Sequence, residues 1–210
     1  MATSMVHWNG NQLCAIDCET TGLDSSWDEI LQLAIIPLDS NIEPRKDVQP
    51  FCIYMRPEHP ERITAEAMKV NKISLDDIIF KGFDKETAQQ LLHDWIQKLG
   101  LPHTPSGRPK RIIPLGQNYC FDKGFIQAWL GIEQYNEWFD YHYVDTMITA
   151  NYLNDRAAMR AIKVPFSKIN LVYLASTLKV PHERAHDALQ DALVASKVYK
   201  KMLGMGGLLE

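Results

Sequence analysis

The sequence predicts an α/β fold in which helices cover a mixed β-sheet. Three short apolar runs come first, and each has the length and composition of a buried strand. Later runs of the same kind alternate with segments whose apolar residues recur at helical spacing. The chain has 210 residues and shows neither a linker nor an internal repeat, so we expect one domain comprising residues 1–210.

Five strands are predicted, at residues 13–17, 30–38, 51–55, 111–115 and 141–144. Each is a short apolar run bounded by polar or turn-forming residues, which is the pattern of a strand buried in a sheet. Gly22 marks the turn after the first strand. Polar residues 41–50 form a loop before the third strand, and residues 100–110, rich in proline and glycine, form another before the fourth.

Six helices are predicted, at residues 64–70, 84–99, 119–130, 146–153, 171–178 and 187–202. The second has the clearest pattern, because Asp84 is a suitable N-cap and the apolar residues after it share one helix face. The members of that stripe are Ala88, Leu91, Leu92, Trp95, Ile96 and Leu99. We expect this stripe to lie in the hydrophobic core.

The composition excludes several classes of protein. Apolar residues make up 46% and charged residues 23%, as in ordinary globular proteins. No run of 18 apolar residues is present, so we expect no membrane span. The N-terminal residues lack a signal-peptide pattern, and the cysteines (Cys14, Cys18, Cys52 and Cys120) lack zinc-site spacing, so we expect free thiols and a cytoplasmic location. The net charge of −4 argues against a surface that is basic throughout.

Two carboxylates lie at the end of the first predicted strand. Asp17 and Glu19 are two residues apart, so on a strand they point to the same face. Carboxylates beside an apolar run are costly unless they are solvated or paired with cations, and Mg²⁺ and Mn²⁺ prefer such oxygen ligands. The spacing alone has little specificity, since Asp84 and Glu86 share it and are explained as first-turn helix acids.

Two later segments also carry acidic residues. Asp122 opens a predicted helix after the fourth strand, where it is either a site residue or a first-turn helix acid. His186 and Asp191 are five residues apart, about 140° around a helix, so both reach one site only if His186 precedes the helix. Asp187 then becomes the N-cap. His182 and Asp187 have the same spacing, and spacing leaves both frames open.

Together these segments resemble the motifs of the DEDDh exonucleases, the DnaQ-like family of proofreading subunits, RNase T and related 3′–5′ nucleases. The family patterns are D-x-E-T-T-G, H-N-x-x-F-D and H-x-A-x-x-D; this chain has D-C-E-T-T-G at residues 17–22, Q-N-Y-C-F-D at 117–122 and H-D-A-L-Q-D at 186–191. Ala188 and Ala192 favour the His186 frame. Gln117 replaces a histidine that lies outside the family's catalytic set. The resemblance implies a ribonuclease H-like fold with a mixed five-stranded sheet flanked by helices.

The resemblance also implies the chemistry of the site. Two divalent cations, Mg²⁺ or Mn²⁺, would be held by four carboxylates, and His186 would be the general base that takes a proton from water. The four carboxylates are Asp17, Glu19, Asp122 and Asp191. Without cations, four converging carboxylates would repel one another and take up protons.

Further residues are implied to bind substrate. By family likeness, Thr20 and the backbone near Thr21 and Gly22 hold a terminal 3′-hydroxyl, and Leu23 wedges against the last bases. Asn118 and Phe121 complete the set, although Phe121 is equally well explained as a core residue. A fifth acid, Asp145, is interpreted as structural because it precedes the helix predicted at residue 146.

A basic segment is the candidate path for the nucleic-acid backbone. Residues 156–168 contain four cationic residues and no acidic one. If the segment is helical, Arg156, Arg160 and Lys163 share one face and are placed to contact phosphates. The alternative interpretation is a solvated charged loop.

These observations predict a metal-dependent 3′–5′ exonuclease that acts on single-stranded DNA or DNA 3′ ends. One alternative is an exoribonuclease, because the motifs do not discriminate a 2′-hydroxyl. Another is an inactive nucleic-acid-binding module, against which the intact acidic set argues. Few residues follow the last predicted helix, so we expect a free-standing enzyme rather than a replicase subunit.

Overall fold

The computed structural model describes residues 10–71, 73–183 and 185–205. Its sheet has five strands in the order β3-β2-β1-β4-β5. The strands are β1 (Gln12–Thr20), β2 (Ile30–Pro37), β3 (Phe51–Tyr54), β4 (Ile112–Gly116) and β5 (Val144–Asp145). Because β1 pairs antiparallel with β2 and parallel with β4, the sheet is mixed, and the predicted fold class is confirmed.

Helices cover both faces of this sheet. The described residues form α1 (Ala65–Asn71), α2 (Leu75–Lys81), α3 (Lys85–Leu99), α4 (Tyr119–Leu130), α5 (Ile132–Trp138), α6 (Thr146–Met159), α7 (Leu171–Thr177) and α8 (Ala188–Gly204), with a 3-10 turn at Pro60–Arg62. Buried residues of α6, α7 and α8 form one hydrophobic core with the sheet, and those of α3, α4 and α5 form a second core on its other face. No described helix has the length and apolar character that crossing a membrane requires.

Side chains of β1 alternate between these two cores. Leu13 and Ala15 lie in the core that α8 shares, whereas Cys14 and Ile16 lie in the core that α3 and α4 share. This alternation is the two-residue period of a strand. It directs odd-numbered residues near the end of β1 toward α8.

Several predicted elements need correction. Helix α2 was not predicted, and Ile78 is its sole buried residue, since its other apolar residues Leu75, Ile79 and Phe80 are exposed. Helix α5 was also not predicted; Tyr135 and Trp138 are its buried residues. The fifth strand lies at Val144–Asp145 rather than at 141–144, and α6 extends to Met159 because the small residue Ala157 continues its buried face.

The predicted helix caps are confirmed. Asp84 accepts a hydrogen bond from the Thr87 backbone N–H, and Asp187 accepts one from the Gln190 N–H. Asp145 caps α6 by accepting from the Met147 N–H, as its structural interpretation requires. The four cysteines are free thiols, and Cys14 and Cys18 are buried.

Candidate metal centre and adjoining cavity

The end of β1 carries the first two candidate ligands. Asp17 and Glu19 continue the face of β1 that packs toward α8, and Glu19 is buried. Between Glu19 and Thr20 the pairing of β1 with β2 shifts register, which marks an irregularity at the end of the strand. The strand therefore delivers two carboxylates to one side of the sheet, as the sequence predicts.

Asp122 reaches the same strand from α4. Its Oδ1 accepts hydrogen bonds from the Cys18 backbone N–H at 2.9 Å and from the Cys18 thiol at 3.0 Å. Burial and the Asp122 charge raise the pKa of the Cys18 thiol well above its usual value, so the thiol stays protonated and donates a hydrogen bond to Asp122. Asp122 is thus more than a first-turn helix acid, because it is buried and tied to β1.

The start of α8 carries the third group. His186 precedes the helix with a left-handed backbone (φ 69°), Asp187 is the N-cap, and Asp191 is buried in the first turn. The arrangement is the one required for His186 and Asp191 to serve one site. Potential ligand atoms of Glu19, His186 and Asp191 all lie within 4.8 Å of one another.

The structure also shows that His186 and His182 have different surroundings. His186 is partly exposed and lies in the cluster with Glu19 and Asp191. His182 Nε2 lies 2.6 Å from Asp191 Oδ1, and its side chain is almost completely buried. Residue spacing makes His182 a rival to His186, but it does not indicate that both contact Asp191.

Burial and mutual repulsion define the electrostatics of the site. Burial, then repulsion from Asp122 and Glu19, raises the pKa of Asp17 well above its usual value. Burial, then repulsion from Asp191 and Asp122, raises the pKa of Glu19 to about 8. Burial raises the pKa of Asp122 to about 7, although its hydrogen bonds from Cys18 act in the opposite direction.

These carboxylates fit a divalent cation. Oxygen ligands suit Mg²⁺ and Mn²⁺, and the charge of a cation would offset the repulsion that raises the pKa values. The three-residue cluster does not include Asp17 or Asp122, which are coupled to it through charge rather than through direct ligand distances.

A loop beyond β1 borders the candidate metal centre. Thr20 Oγ1 donates to the Gly22 carbonyl at 2.6 Å, and the buried Thr21 Oγ1 accepts from the Glu29 N–H at 2.9 Å. A Cβ at Gly22 would overlap the Asp28 carboxylate, which accepts a hydrogen bond from the Asp24 N–H and would have to move. Leu23 projects from this well-anchored loop and is 87% exposed.

A cavity of about 460 Å³ lies between this loop and α1. Glu19, Thr20 and Leu23 line one side, and Glu66 and Val70 of α1 line the other. The α1 wall was not predicted from the sequence, because α1 is short and no motif marks its residues. The cavity adjoins the metal centre through Glu19, which belongs to both.

Phe121 and Asn118 have different surroundings. Phe121 lines the cavity and also packs on Phe125 with ring centroids 4.9 Å apart, and its contact with a nucleotide stays a prediction. Asn118 has a left-handed backbone (φ 59°), and its side chain does not cap α4. Instead, Asp145 accepts from the Asn118 N–H at 3.2 Å and from the Tyr119 N–H at 2.8 Å.

The basic segment does not form the predicted helical face. Helix α6 ends at Met159, Arg160 is its C-cap, and Lys163 follows a left-handed residue at Ala161 (φ 55°). The one-face arrangement of Arg156, Arg160 and Lys163 is therefore wrong. From the start of α6, Arg156 lies about 15 Å along the helix axis. Phosphate binding by these residues stays a prediction.

Comparison with known proteins places these features in context. Residues 14–199 match the model of the RNase T family, which is described as Exonuclease. Relatives include the PolC-type DNA polymerase III of Listeria welshimeri, 26% identical over 191 residues, and that of Listeria innocua, 25% identical. The match covers 89% of this chain and 11% of each polymerase, so the chain spans about a tenth of their length.

Solved structures share the fold. E. coli Exonuclease I in complex with a 5cy-dT13 oligonucleotide has a TM-score of 0.69 at 18% identity, covering 94% of this chain and 42% of that one. Exonuclease I from Methylocaldum szegediense has a TM-score of 0.70 at 20% identity, covering 94% and 41%. Cell-death related nuclease 4 has a TM-score of 0.69 at 19% identity, covering 93% and 64%. These likenesses confirm the ribonuclease H-like fold.

Proposed function

This chain belongs to the RNase T exonuclease family, and from that membership we propose that it is a metal-dependent 3′–5′ exonuclease acting on single-stranded DNA ends. The observation that carries the proposal is the cluster of Glu19, His186 and Asp191 beside the cavity of about 460 Å³. Relatives named as DNA polymerases and neighbours bound to DNA oligonucleotides support DNA as the substrate. We also propose that residues 1–210 form one domain.

The carboxylates hold cations and the cavity receives the terminal nucleotide. Asp17, Glu19, Asp122 and Asp191 would be the ligands of two divalent cations, Mg²⁺ or Mn²⁺. When bound, such cations supply charge that stabilises the attacking and leaving oxygens of a phosphodiester. The raised pKa values of Glu19 and Asp122 support this assignment, because both groups lie where positive charge is needed.

His186 is the proposed general base. Its ring takes one proton from water, the water oxygen bonds to phosphorus, and the bond from phosphorus to the 3′-oxygen of the penultimate nucleotide breaks. That oxygen takes up a proton from solvent and becomes the new 3′-hydroxyl. The products are a nucleoside 5′-monophosphate and a strand shortened by one nucleotide. The partial exposure of His186 supports this role, since a general base must meet water.

The cavity explains the need for a free 3′ end. Thr20, Thr21 and Gly22 form an anchored loop that would meet the 3′-hydroxyl, and Leu23 would pack against the terminal base. Asn118 and Phe121 would contact the nucleotide near the start of α4. Arg156, Arg160 and Lys163 would contact phosphates farther along the strand, as separate side chains rather than as one helical face.

The test uses purified protein with 5′-labelled and 3′-labelled single-stranded DNA and matched RNA. Each substrate is incubated with Mg²⁺, with Mn²⁺ and with EDTA, beside an Asp17→Ala control. A 5′-labelled ladder that shortens one nucleotide at a time, and that EDTA and Asp17→Ala abolish, is the expected result. Faster turnover of RNA would replace DNA by RNA in the proposal, and folded protein without turnover would leave a binding module.

A further inference from the structure

A second histidine holds the carboxylate of Asp191. His182 Nε2 lies 2.6 Å from Asp191 Oδ1, and 7% of the His182 side chain is exposed. Because an ionised carboxylate oxygen can only accept, Nε2 is the donor of this hydrogen bond. The other ring nitrogen, Nδ1, is buried and has no hydrogen-bond partner among the described residues. The contact with Asp191 is therefore the one polar interaction found for this ring in the described part of the chain.

The two oxygens of Asp191 are held by one loop. Oδ1 accepts from the His182 ring, and Oδ2 accepts from the His186 backbone N–H at 3.1 Å. Two donors on different oxygens fix both the position and the plane of a carboxylate. Each oxygen can accept more than one hydrogen bond, so both retain capacity for a cation. Carboxylates that bind metals are commonly oriented by such outer hydrogen bonds.

The two histidines differ in their exposure and in what they can contact. His186 is partly exposed, and its ring lies in the cluster with Glu19 and Asp191. The ring of His182 is shielded from solvent and its Nε2 is already bonded, so it cannot meet the attacking water. A buried imidazole whose single observed polar interaction is with a candidate metal ligand has a role through that ligand.

We propose that His182 is a positioning residue, whose Nε2–H hydrogen bond fixes the Asp191 carboxylate for cation binding. The inference rests on the proposed function, in which Asp191 is a metal ligand. Without the bond, the Asp191 carboxylate would keep only its hydrogen bond from the His186 N–H, and the expected cost is about 10–100-fold in metal affinity. Neither the proton-accepting step of His186 nor the lining of the cavity would change.

Three substitutions separate the hydrogen bond from simple packing. His182→Gln places an amide N–H near the position of Nε2, whereas His182→Asn places it near Nδ1, too short to reach Asp191. His182→Ala removes both. The readout is Mn²⁺ affinity, measured by calorimetry without nucleic acid, together with the Mg²⁺ concentration that half-activates cleavage. Circular dichroism and thermal unfolding in EDTA show that each variant is folded.

We expect His182→Asn and His182→Ala to weaken Mn²⁺ binding about 10–100-fold and to raise the half-activating Mg²⁺ concentration in parallel. His182→Gln should restore wild-type affinity to within about threefold, a rescue that packing alone would not give. Equal losses in the Gln and Asn variants, or wild-type affinity in all three, would overturn the inference. If His182→Ala does not fold, the Gln and Asn pair decides.

The failure of the proposed function gives a different pattern. A wild-type chain that binds Mn²⁺ but cleaves neither DNA nor RNA overturns the nuclease proposal, and the affinities of the three variants still test His182. A wild-type chain that cleaves, with variants of unchanged affinity, overturns the role of His182 alone. A wild-type chain that binds no Mn²⁺ overturns both.

Discussion

The starts of α4 and α8 have a similar arrangement of residues. Each helix follows a residue with a left-handed backbone, Asn118 at φ 59° and His186 at φ 69°. Each then places a buried aspartate in its first turn, Asp122 in α4 and Asp191 in α8. The two helices lie on opposite faces of the sheet, so two similar helix starts approach the end of β1 from two sides.

The contacts that stabilise the two starts are different. At the start of α8, Asp187 is the cap and the loop residues His182 and His186 hold Asp191, while the Ala188 N–H is bonded by the side chain of Gln32 on β2.

Helix α4 is built from distant parts of the chain. Its first N–H groups are bonded by Asp145, which lies 26 residues after Tyr119, and its acid is held by Cys18, which lies 104 residues before Asp122. The acid of α8 is thus held by local contacts and the acid of α4 by long-range contacts, although the first N–H of α8 also bonds to a distant residue, Gln32. A sequence motif describes the local contacts and does not reveal the distant ones.

The largest effect is expected when either acid is replaced by its neutral amide. Asp122→Asn and Asp191→Asn keep the side-chain volume but remove charge that a cation needs. Asp122→Asn keeps an oxygen for both Cys18 donors, whereas Asp191→Asn keeps one of the two oxygens that accept from His182 and from the His186 N–H. Activity should fall about 10²–10³-fold or more in both, with the fold retained. Steady-state cleavage of labelled DNA measures this, with Asp155→Asn on the exposed side of α6 as the control. A large decrease in the activity of only one of the two variants would show that the two helix starts are not equivalent.

A smaller effect concerns stability and pH. The pKa of Glu19 rises from 4.5 to about 8, and that of Asp122 from 3.8 to about 7. The metal-free folded protein therefore binds more protons than the unfolded chain between about pH 4 and pH 8. The free energy of unfolding should fall as pH rises through this window, by on the order of a few kcal/mol.

Denaturant unfolding in EDTA at pH 5, 6, 7 and 8 measures this fall, and Mg²⁺ should reverse it. Glu19→Gln should remove the contribution of Glu19, which runs to about pH 8, and Asp122→Asn that of Asp122, which runs to about pH 7. Asp17, whose pKa is also raised, contributes to the fall in both variants. The pair thus distinguishes the α8 side of the sheet from the α4 side. Stability that is constant or rises over this range without metal would contradict the prediction.

Replacement of each of the two capping aspartates should lower the free energy of unfolding by a different amount. Asp187→Ala removes one local cap and should destabilise the protein by about 1 kcal/mol. Asp145→Ala leaves backbone N–H groups at the starts of both α4 and α6 without a partner, so it should cost about 2–3 kcal/mol. Urea unfolding compares the two variants. Equal costs would show that α4 does not depend on its distant cap.

The smallest effect is expected away from both helix starts. Replacing Arg156, Arg160 and Lys163 by Ala should weaken DNA binding and reduce the salt dependence of binding, by about 0.7 in slope for each phosphate that is no longer neutralised. The maximal rate should be unchanged, because none of the three belongs to the cluster of Glu19, His186 and Asp191. Binding titrations at several salt concentrations measure the slope, and an unchanged slope would exclude this segment from the substrate path.

Much of the site could be predicted from sequence because it is local. Strand alternation places Asp17 and Glu19 on one face, and the cap at Asp187 places His186 before α8. The bond from Cys18 to Asp122 could not be predicted, since no spacing relates residues 104 positions apart. The wall formed by α1 could not be predicted either: the helix itself is predicted at residues 64–70, but no motif places its residues beside the loop after β1.

Errors in the fold have the same origin. Helix α6 was predicted to end six residues early, because Ala157 is buried but too small to mark an apolar face. The spacing of the charges in the basic segment gives one face only if the segment is helical, and a charged loop is the alternative. Arg160 instead ends the helix and the chain turns at Ala161, a conformation that charge spacing does not reveal.

The strict alternation of β1 limits how the length of this chain can vary. Deleting one residue between the pairing with β4 and Asp17 would rotate every later side chain by half a turn. Cys18 would then face α8, and both carboxylates would enter the opposite core. The loop at residues 100–110 lies far from this strand end in sequence and is largely exposed. A change in its length would not alter the direction of the side chains of β1. Insertions and deletions should therefore accumulate in that loop and be absent from β1.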